Sequence, residues 1–306
     1  MNNHAQTSSS LTSSKAQSRA QTDLYDRVAH ETAKGVIYAY STSFGMATKL
    51  LVEPVRGHVE DIYALVRLAD EIVDGVAATA GVPSAEIRRM LDELESETER
   101  AMATGYSTNL IVHAFALTAR ATDISPELTR PFFASMRADI TEATHTPESF
   151  DAYVYGSAEV VGLMCLQAFL AEGTFTPAER ERFVTGARAL GAAFQKVNFL
   201  RDLSADVDAL GRSYFPGVDI ATLDEKTKLS LVANIDADLA VSAAVVPDLP
   251  ASSRRAVALA QSLFAELNRR IARTPASALK STRVRVPNPV KARLALAAVL
   301  GKVRRP

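Results

Sequence analysis

The sequence predicts a single all-α domain, and three observations carry that prediction. From residue 23 onward apolar residues recur at three- and four-residue spacing. Alternating β-branched runs flanked by turn residues are almost absent. Helix start signals recur at Ser84 with Glu86, at Pro126 with Glu127 and at Thr176-Pro177 with Glu179. Composition agrees, since 306 residues with 47% hydrophobic and 23% charged make an ordinary globular chain, long enough to enclose a deep cavity without disulfides.

The elements follow in order. Residues 1–22 are Ser, Thr, Gln, Asn and Ala with hardly an apolar anchor, so they are expected to form a disordered polar tail outside the domain at 23–306. Helices are expected at 24–41, 56–76, 84–104, 107–121, 126–143, 148–171, 177–207, 224–244, 251–272 and 289–303. Breaks at Gly81 to Pro83, Gly173 to Pro177 and Gly211 to Pro216 separate some of them. None is long enough for an interdomain linker, and no fixed-period repeat is present.

Charge narrows the function. A net charge of -1 gives no general attraction to nucleic acid, so no nucleic-acid partner is expected. From Leu267 to the end, however, there is no Asp or Glu among eleven Lys and Arg, which leaves the preceding part at -12. One cysteine, Cys165, forms no intrachain disulfide; with no signal-peptide core in the first 22 residues, this leads us to expect a cytoplasmic protein. Residues 289–305 interleave Val290, Leu294, Leu296, Val299, Leu300 and Val303 with Lys and Arg. They are read two ways: as a last packed helix, or as an amphipathic element making peripheral contact with the inner face of a membrane.

Two stripes carry the chemistry. Tyr63, Arg67, Asp70 and Asp74 fall on one helix face, with Leu65, Leu68 and Ile72 opposite. A lone acidic pair at this spacing is ordinarily solvated, but a second helix places Gln195, Asn198, Asp202 and Asp206 on one face too, continued by Val184, Ala187 and Gly191. A face that passes from small and apolar to amide to carboxylate describes a cavity wall, greasy at its base and anionic at its mouth. Gly191 is accordingly expected to set cavity depth. Like charges one turn apart oppose folding by roughly 0.2–0.5 kcal/mol per pair. A cation should offset them, and oxygen-only ligands select a hard one. Asp70, Asp74, Asn198, Asp202 and Asp206 are therefore the expected Mg²⁺ ligands, with Mn²⁺ as substitute, in a clamp for a diphosphate. The five histidines lie at no metal-ligand spacing.

These stripes resemble the aspartate-rich motifs of the squalene/phytoene synthase family. Asp70-Glu71-Ile72-Val73-Asp74-Gly75 is similar to the first motif in its phytoene-synthase form, and Asn198 to Asp206, followed by Gly211-Arg212-Ser213-Tyr214-Phe215-Pro216, to the second. Ser41-Thr42-Ser43-Phe44 resembles the flap beside a diphosphate, and Tyr153 to Gly162 the helix lining the prenyl tunnel. The chain departs from the pattern at Ala205, where Glu is usual, at Val207 to Leu210, where a basic pair is common, and at Phe264, where many members have Tyr; Arg283 is expected to cover that lost phosphate contact.

The resemblance implies an isoprenoid-synthase helical bundle around a central cavity. It further implies condensation of two prenyl diphosphates head to head. Asp70, Asp74, Asp202 and Asp206 would act with Arg67 and Tyr153, while Tyr40, Ser41, Thr42, Ser43, Phe44, Tyr63, Val161, Ala187, Leu190, Gly191, Gln195, Asn198, Arg201, Phe264 and Arg283 would contact substrate. The form of the first motif favours geranylgeranyl diphosphate, hence phytoene by way of prephytoene diphosphate, without a nicotinamide. The alternatives are squalene or dehydrosqualene formation from farnesyl diphosphate, and a non-catalytic helical binding protein. Chain elongation and cyclisation fit less well, because their usual metal motifs are not seen.

Overall fold

A computed structural model describes the backbone of residues 4–74, 76–142, 144–210 and 214–301, and side chains from residue 21 onward except 78, 204–210 and 220. The described chain is all-α: α1 (His4–Tyr40), α2 (Thr42–Thr48), α3 (Val55–Val73), α4 (Val76–Thr79), α5 (Ser84–Thr104), α6 (Leu110–Ala121), α7 (Pro126–Thr141), α8 (Pro147–Val154), α9 (Val160–Leu170), α10 (Pro177–Leu210), α11 (Glu225–Val245), α12 (Ala251–Arg273), α13 (Ala276–Leu279) and α14 (Asn288–Val299). No strand occurs among the described residues.

Local chemistry explains where the elements depart from expectation. Helix α1 runs from His4, ahead of the expected start at 24; Ala, Gln, Lys and Ser are tolerable helix formers, and a helix satisfies its own backbone groups. The expected helix 24–41 stops at Ser41, whose hydroxyl accepts the Phe44 N–H at 3.0 Å and starts the separate α2. Asn109 caps α6 by accepting the N–H groups of Ile111 and Val112, which moves its start from 107 to 110. The expected helix 148–171 is interrupted by a π-helical turn, Tyr155–Glu159, between α8 and α9. Helix α14 ends at Val299, and residues 302–306 lie outside the described set.

Two large hydrophobic clusters hold the bundle together. One joins α3, α5, α6, α7 and α9 through buried Leu65, Leu91, Phe115, Phe132, Phe133 and Met164. The other joins α10, α11 and α12 through buried Val197, Leu200, Ile235 and Ile271. Each such side chain contributes about 1.5–3 kcal/mol on leaving water.

Polar contacts fix register where function needs it. Tyr38 of α1 donates to Glu60 of α3 at 2.8 Å, and His30 meets the fully buried Asp61 at 2.7 Å. Lys228, fully buried, donates to the Ala272 and Thr274 carbonyls at 2.9 and 2.6 Å, satisfying the end of α12.

Glycine brings α9 and α10 into backbone contact. A Cβ at Gly162 would stand 2.7 Å from the Ala187 carbonyl oxygen, and one at Gly191 would stand 2.6 Å from that of Ala158. This pair of contacts sets the distance between two cavity walls.

Candidate active site

One cavity of about 1010 Å³ runs between α1, α2, α3, α7, α9, α10, α12 and the segment leading into α14. It brings together, from α1 to α3, Tyr40, Ser41, Thr42, Ser43, Phe44, Tyr63, Arg67, Asp70 and Asp74. From the later elements come Tyr153, Val161, Ala187, Leu190, Gly191, Gln195, Asn198, Arg201, Asp202, Phe264 and Arg283. Asp206 belongs to α10, and its side chain lies outside the described residues, as does that of Ala205. The departure at Val207 to Leu210 falls in the same undescribed stretch.

The first stripe occupies the last turns of α3. Asp74 is the residue at which the helix ends, its N–H bonding the Asp70 carbonyl at 2.8 Å. Burial, and after it the charge of Asp74, pushes the Asp70 carboxyl up to about 7. Arg67 is paired with Glu71 one turn on, and its guanidinium lies 4.3 Å from the centre of the Tyr40 ring. The second stripe lies on α10, where Arg201 donates to Asp202 at 3.0 Å and the Arg283 Nε lies 2.7 Å from the same carboxylate.

Apolar and aromatic groups form the rest of the wall. Phe194 and Phe264 stack with centroids 3.8 Å apart, and Phe44 meets them at 5.6 and 5.5 Å. Phe264 is thus the centre of an aromatic cluster. Arg283, expected to replace the missing tyrosine at a phosphate, lines the same cavity and also reaches Asp202. Cys165 also lines the cavity, but burial pushes its thiol up to about 12, so it is an inert wall atom.

Gly191 requires a correction. Its lack of a side chain serves the close passage of α10 over Ala158 rather than the depth of the cavity, so enlarging it separates helices before it shortens anything.

The cavity contacts made by Asp139 and Lys291 carry no sequence signal. Asp139 of α7 accepts the Tyr153 hydroxyl at 2.8 and 2.9 Å, and Tyr214 and Phe199 stack beside them with centroids 4.0 Å apart. The Tyr153 hydroxyl is held well above its ordinary value, first by burial and then by the Asp139 carboxylate. Lys291 of α14 donates to Thr42 at 3.2 Å, drawing part of the basic C-terminal segment to the cavity mouth. A lone Asp on an amphipathic helix and a Lys beyond a proline are too ordinary to be noticed in sequence.

The donors suit a hard cation. The Asn198 Oδ1 is buried without a hydrogen-bond partner in a cavity that also presents Asp70, Asp74 and Asp202, and every one of these donors is oxygen. Among the described residues no three carboxylates or imidazoles converge closely enough to hold an ion by themselves.

A family model described as squalene/phytoene synthase matches residues 37–289, a span that contains every described residue of this site except Lys291. The chain belongs to the squalene/phytoene synthase family. Members of this family are prenyltransferases. The chain is 30% identical to the 15-cis-phytoene synthase of Enterobacter agglomerans over 252 residues, which cover 76% of this chain and 82% of that protein. It is also 30% identical to phytoene synthase 1 of Zea mays over 196 residues, covering 63% of this chain and 45% of the maize protein. In fold it is similar to a dehydrosqualene synthase crystallised with ligand, at a TM-score of 0.73 and 20% identity, covering 90% of this chain and 97% of the other. A squalene synthase from Alicyclobacillus acidocaldarius aligns at 0.69 and 20% identity, over 82% and 97% of the two chains. These last two establish the all-α isoprenoid-synthase architecture.

Proposed function

We propose that this family member condenses two molecules of geranylgeranyl diphosphate head to head into phytoene, by way of prephytoene diphosphate, with Mg²⁺. The observation that carries the reading is a single cavity in which oxygen donors and arginines gather near one set of residues while the remaining wall is apolar and aromatic. Two lipid tails with anionic heads match that division. The C20 substrate is supported by the form of the first motif and by the names of the relatives at 30% identity.

Asp70, Asp74, Asn198, Asp202 and Asp206 are the residues that would hold the metal, which as a Lewis acid stabilises the negative charge developing on a departing diphosphate. Arg67, Arg201, Arg283 and Lys291 are placed to bind and orient phosphate oxygens. Ser41, Thr42 and Ser43 supply hydroxyls beside them. Phe44, Phe194 and Phe264 exclude the water that would trap an allylic cation, and their faces attract positive charge. Leu190, Val161 and Gln195 continue the wall along the tails.

The lipophilic product has no reason to leave such a tunnel for water, so we further propose a cytoplasmic protein that touches the membrane peripherally. The outward side of α14 supports this: Leu296, Val299 and Leu300 are exposed there, although Lys291 turns to the cavity.

The experiment is incubation of the chain with farnesyl or geranylgeranyl diphosphate, with Mg²⁺, with and without NADPH, followed by chromatography of the hydrocarbon. A C40 hydrocarbon independent of NADPH is expected. Product from the C15 substrate alone overturns the substrate assignment, and undiminished turnover in EDTA overturns the metal.

A further inference from the structure

We propose that Phe169 of α9 is the floor of the tail-binding part of this cavity and sets the longest prenyl chain that fits. The inference rests on the prenyl diphosphate reading and names the residue that fixes depth, a role that Gly191 does not fill.

The sizes of the wall residues are the first ground. On the α9 side, Ser157, Val161, Cys165 and Phe169 follow one another at four-residue steps, and all four line the cavity. Three small or medium side chains are thus followed by a ring. The facing wall of α10 changes in the same direction, from Gly191, Ala187 and Gly186 to Phe183. From Phe194, in the aromatic cluster about two turns from Asp202, to Phe183 is a rise of about 16 Å along the helix. Between these two aromatic levels the walls leave room for a tail, and at the lower level they close.

What lies beneath the ring is the second ground. Phe169 packs at once against a cluster that holds Leu170, Phe183 and Leu249 and against another that holds Leu51, Val55 and Ala256, all of them 2–4% exposed. Phe169 itself is only half-buried. Cys165, one turn before it on the same row, is half-buried too, although it lies deep enough for burial to push its thiol up to about 12. The surface that this row leaves accessible is therefore the cavity's own. The ring faces the cavity and rests on a closed base.

The surrounding helices have little freedom to retreat. A Cβ at Gly162 would stand 2.7 Å from the Ala187 carbonyl oxygen, and one at Gly186 would stand 2.1 Å from a methyl carbon of Val245 on α11. Helices already in such contact do not spread to admit a longer ligand. A tail one isoprene unit too long meets the Phe169 ring and has to displace it from two packed clusters.

The test is calorimetric titration of the full chain, with Mg²⁺, against the non-ionising thiolo-diphosphates of farnesol, geranylgeraniol and the C25 homologue geranylfarnesol, and against inorganic diphosphate. In wild type, affinity should rise with tail length up to one member of the series and fall at the next. Phe169→Ala should move that limit up by one isoprene unit, strengthening the first excluded tail by about tenfold. Phe169→Trp should move it the other way, weakening the longest accepted tail by about tenfold. Neither should change the binding of inorganic diphosphate. If Phe169→Ala fails to fold, Phe169→Leu carries the same test with a smaller shift. Folded variants that keep the wild-type order of tail affinities, or a wild type whose affinity still rises at C25, overturn the inference alone. A wild type that binds no thiolo-diphosphate more tightly than inorganic diphosphate overturns the prenyl reading and this inference with it.

Discussion

The two carboxylate walls of the cavity use the same residues at similar spacing and end in opposite electrostatic states. On α10, Asp202 is compensated from within the protein, by Arg201 beside it and by Arg283 from the basic segment after α13. On α3, Arg67 pairs with Glu71 and only partly offsets the Asp70 carboxyl, which burial and then Asp74 drive up to about 7. Arginines meet the carboxylate on one wall, and burial raises the carboxyl on the other. The difference teaches that a motif of aspartates does not define its own charge state; the elements folded against it do.

The strongest way to break this comparison is to remove a carboxylate from each wall. If the proposed reading holds, Asp70→Asn and Asp202→Asn should each lower diphosphate release from the prenyl diphosphate by orders of magnitude, because each loses a charge that would face the proposed metal. They should differ in stability. Asp70→Asn removes a strained charge and should melt higher than wild type in EDTA, whereas Asp202→Asn deprives two arginines of a partner and should melt lower. Equal shifts in melting temperature would erase the distinction between the walls.

The next effect is on pH dependence, measured on the metal-free chain by denaturant unfolding. The Asp70 carboxyl titrates in the folded chain at about 7, above its ordinary value of 3.8. Between those two values the folded state therefore binds more protons than the unfolded state, and stability falls as pH rises through that window. The loss is on the order of a few kcal/mol, and Asp70→Asn should abolish it. Adding Mg²⁺ with inorganic diphosphate should flatten the wild-type slope. A slope that is the same in wild type and variant would place the strain elsewhere.

The smallest effect sharpens the other wall. Arg283→Gln removes a cation from Asp202 and a proposed phosphate ligand, and should reduce turnover by about tenfold, the scale of one exposed charge-assisted contact. In the absence of diphosphate the same variant should bind Mg²⁺ somewhat more tightly, since Asp202 is then less occupied. Weaker Mg²⁺ binding would show that Arg283 supports the metal site instead of competing with it.

Much of the molecule was legible in its sequence because helices and their faces are local properties. Tyr63, Arg67, Asp70 and Asp74 share a face by spacing alone, and the cavity receives all four. Gln195, Asn198 and Asp202 do likewise on α10. Less legible was anything that depends on a neighbour distant in sequence. Gly191 looked like empty space and is a contact point against Ala158. Phe264 looked like a lost phosphate ligand and is stacked on Phe194. Helix α2 was hidden because Ser41 can end one helix and begin another without changing the apolar period.

By itself, then, the sequence determined an all-α chain with two oxygen-rich helix faces and an acidic body followed by a basic end, since periodicity, capping residues and charge counts act over a few residues at a time. Only the tertiary structure decided that burial raises the Asp70 carboxyl, that Arg283 crosses to Asp202, and that Asp139 meets Tyr153. The reason is physical: burial and Coulomb interactions depend on distance through space, and each of these pairs joins residues that are unremarkable in their own segments and acquire their roles only when helices are brought into contact.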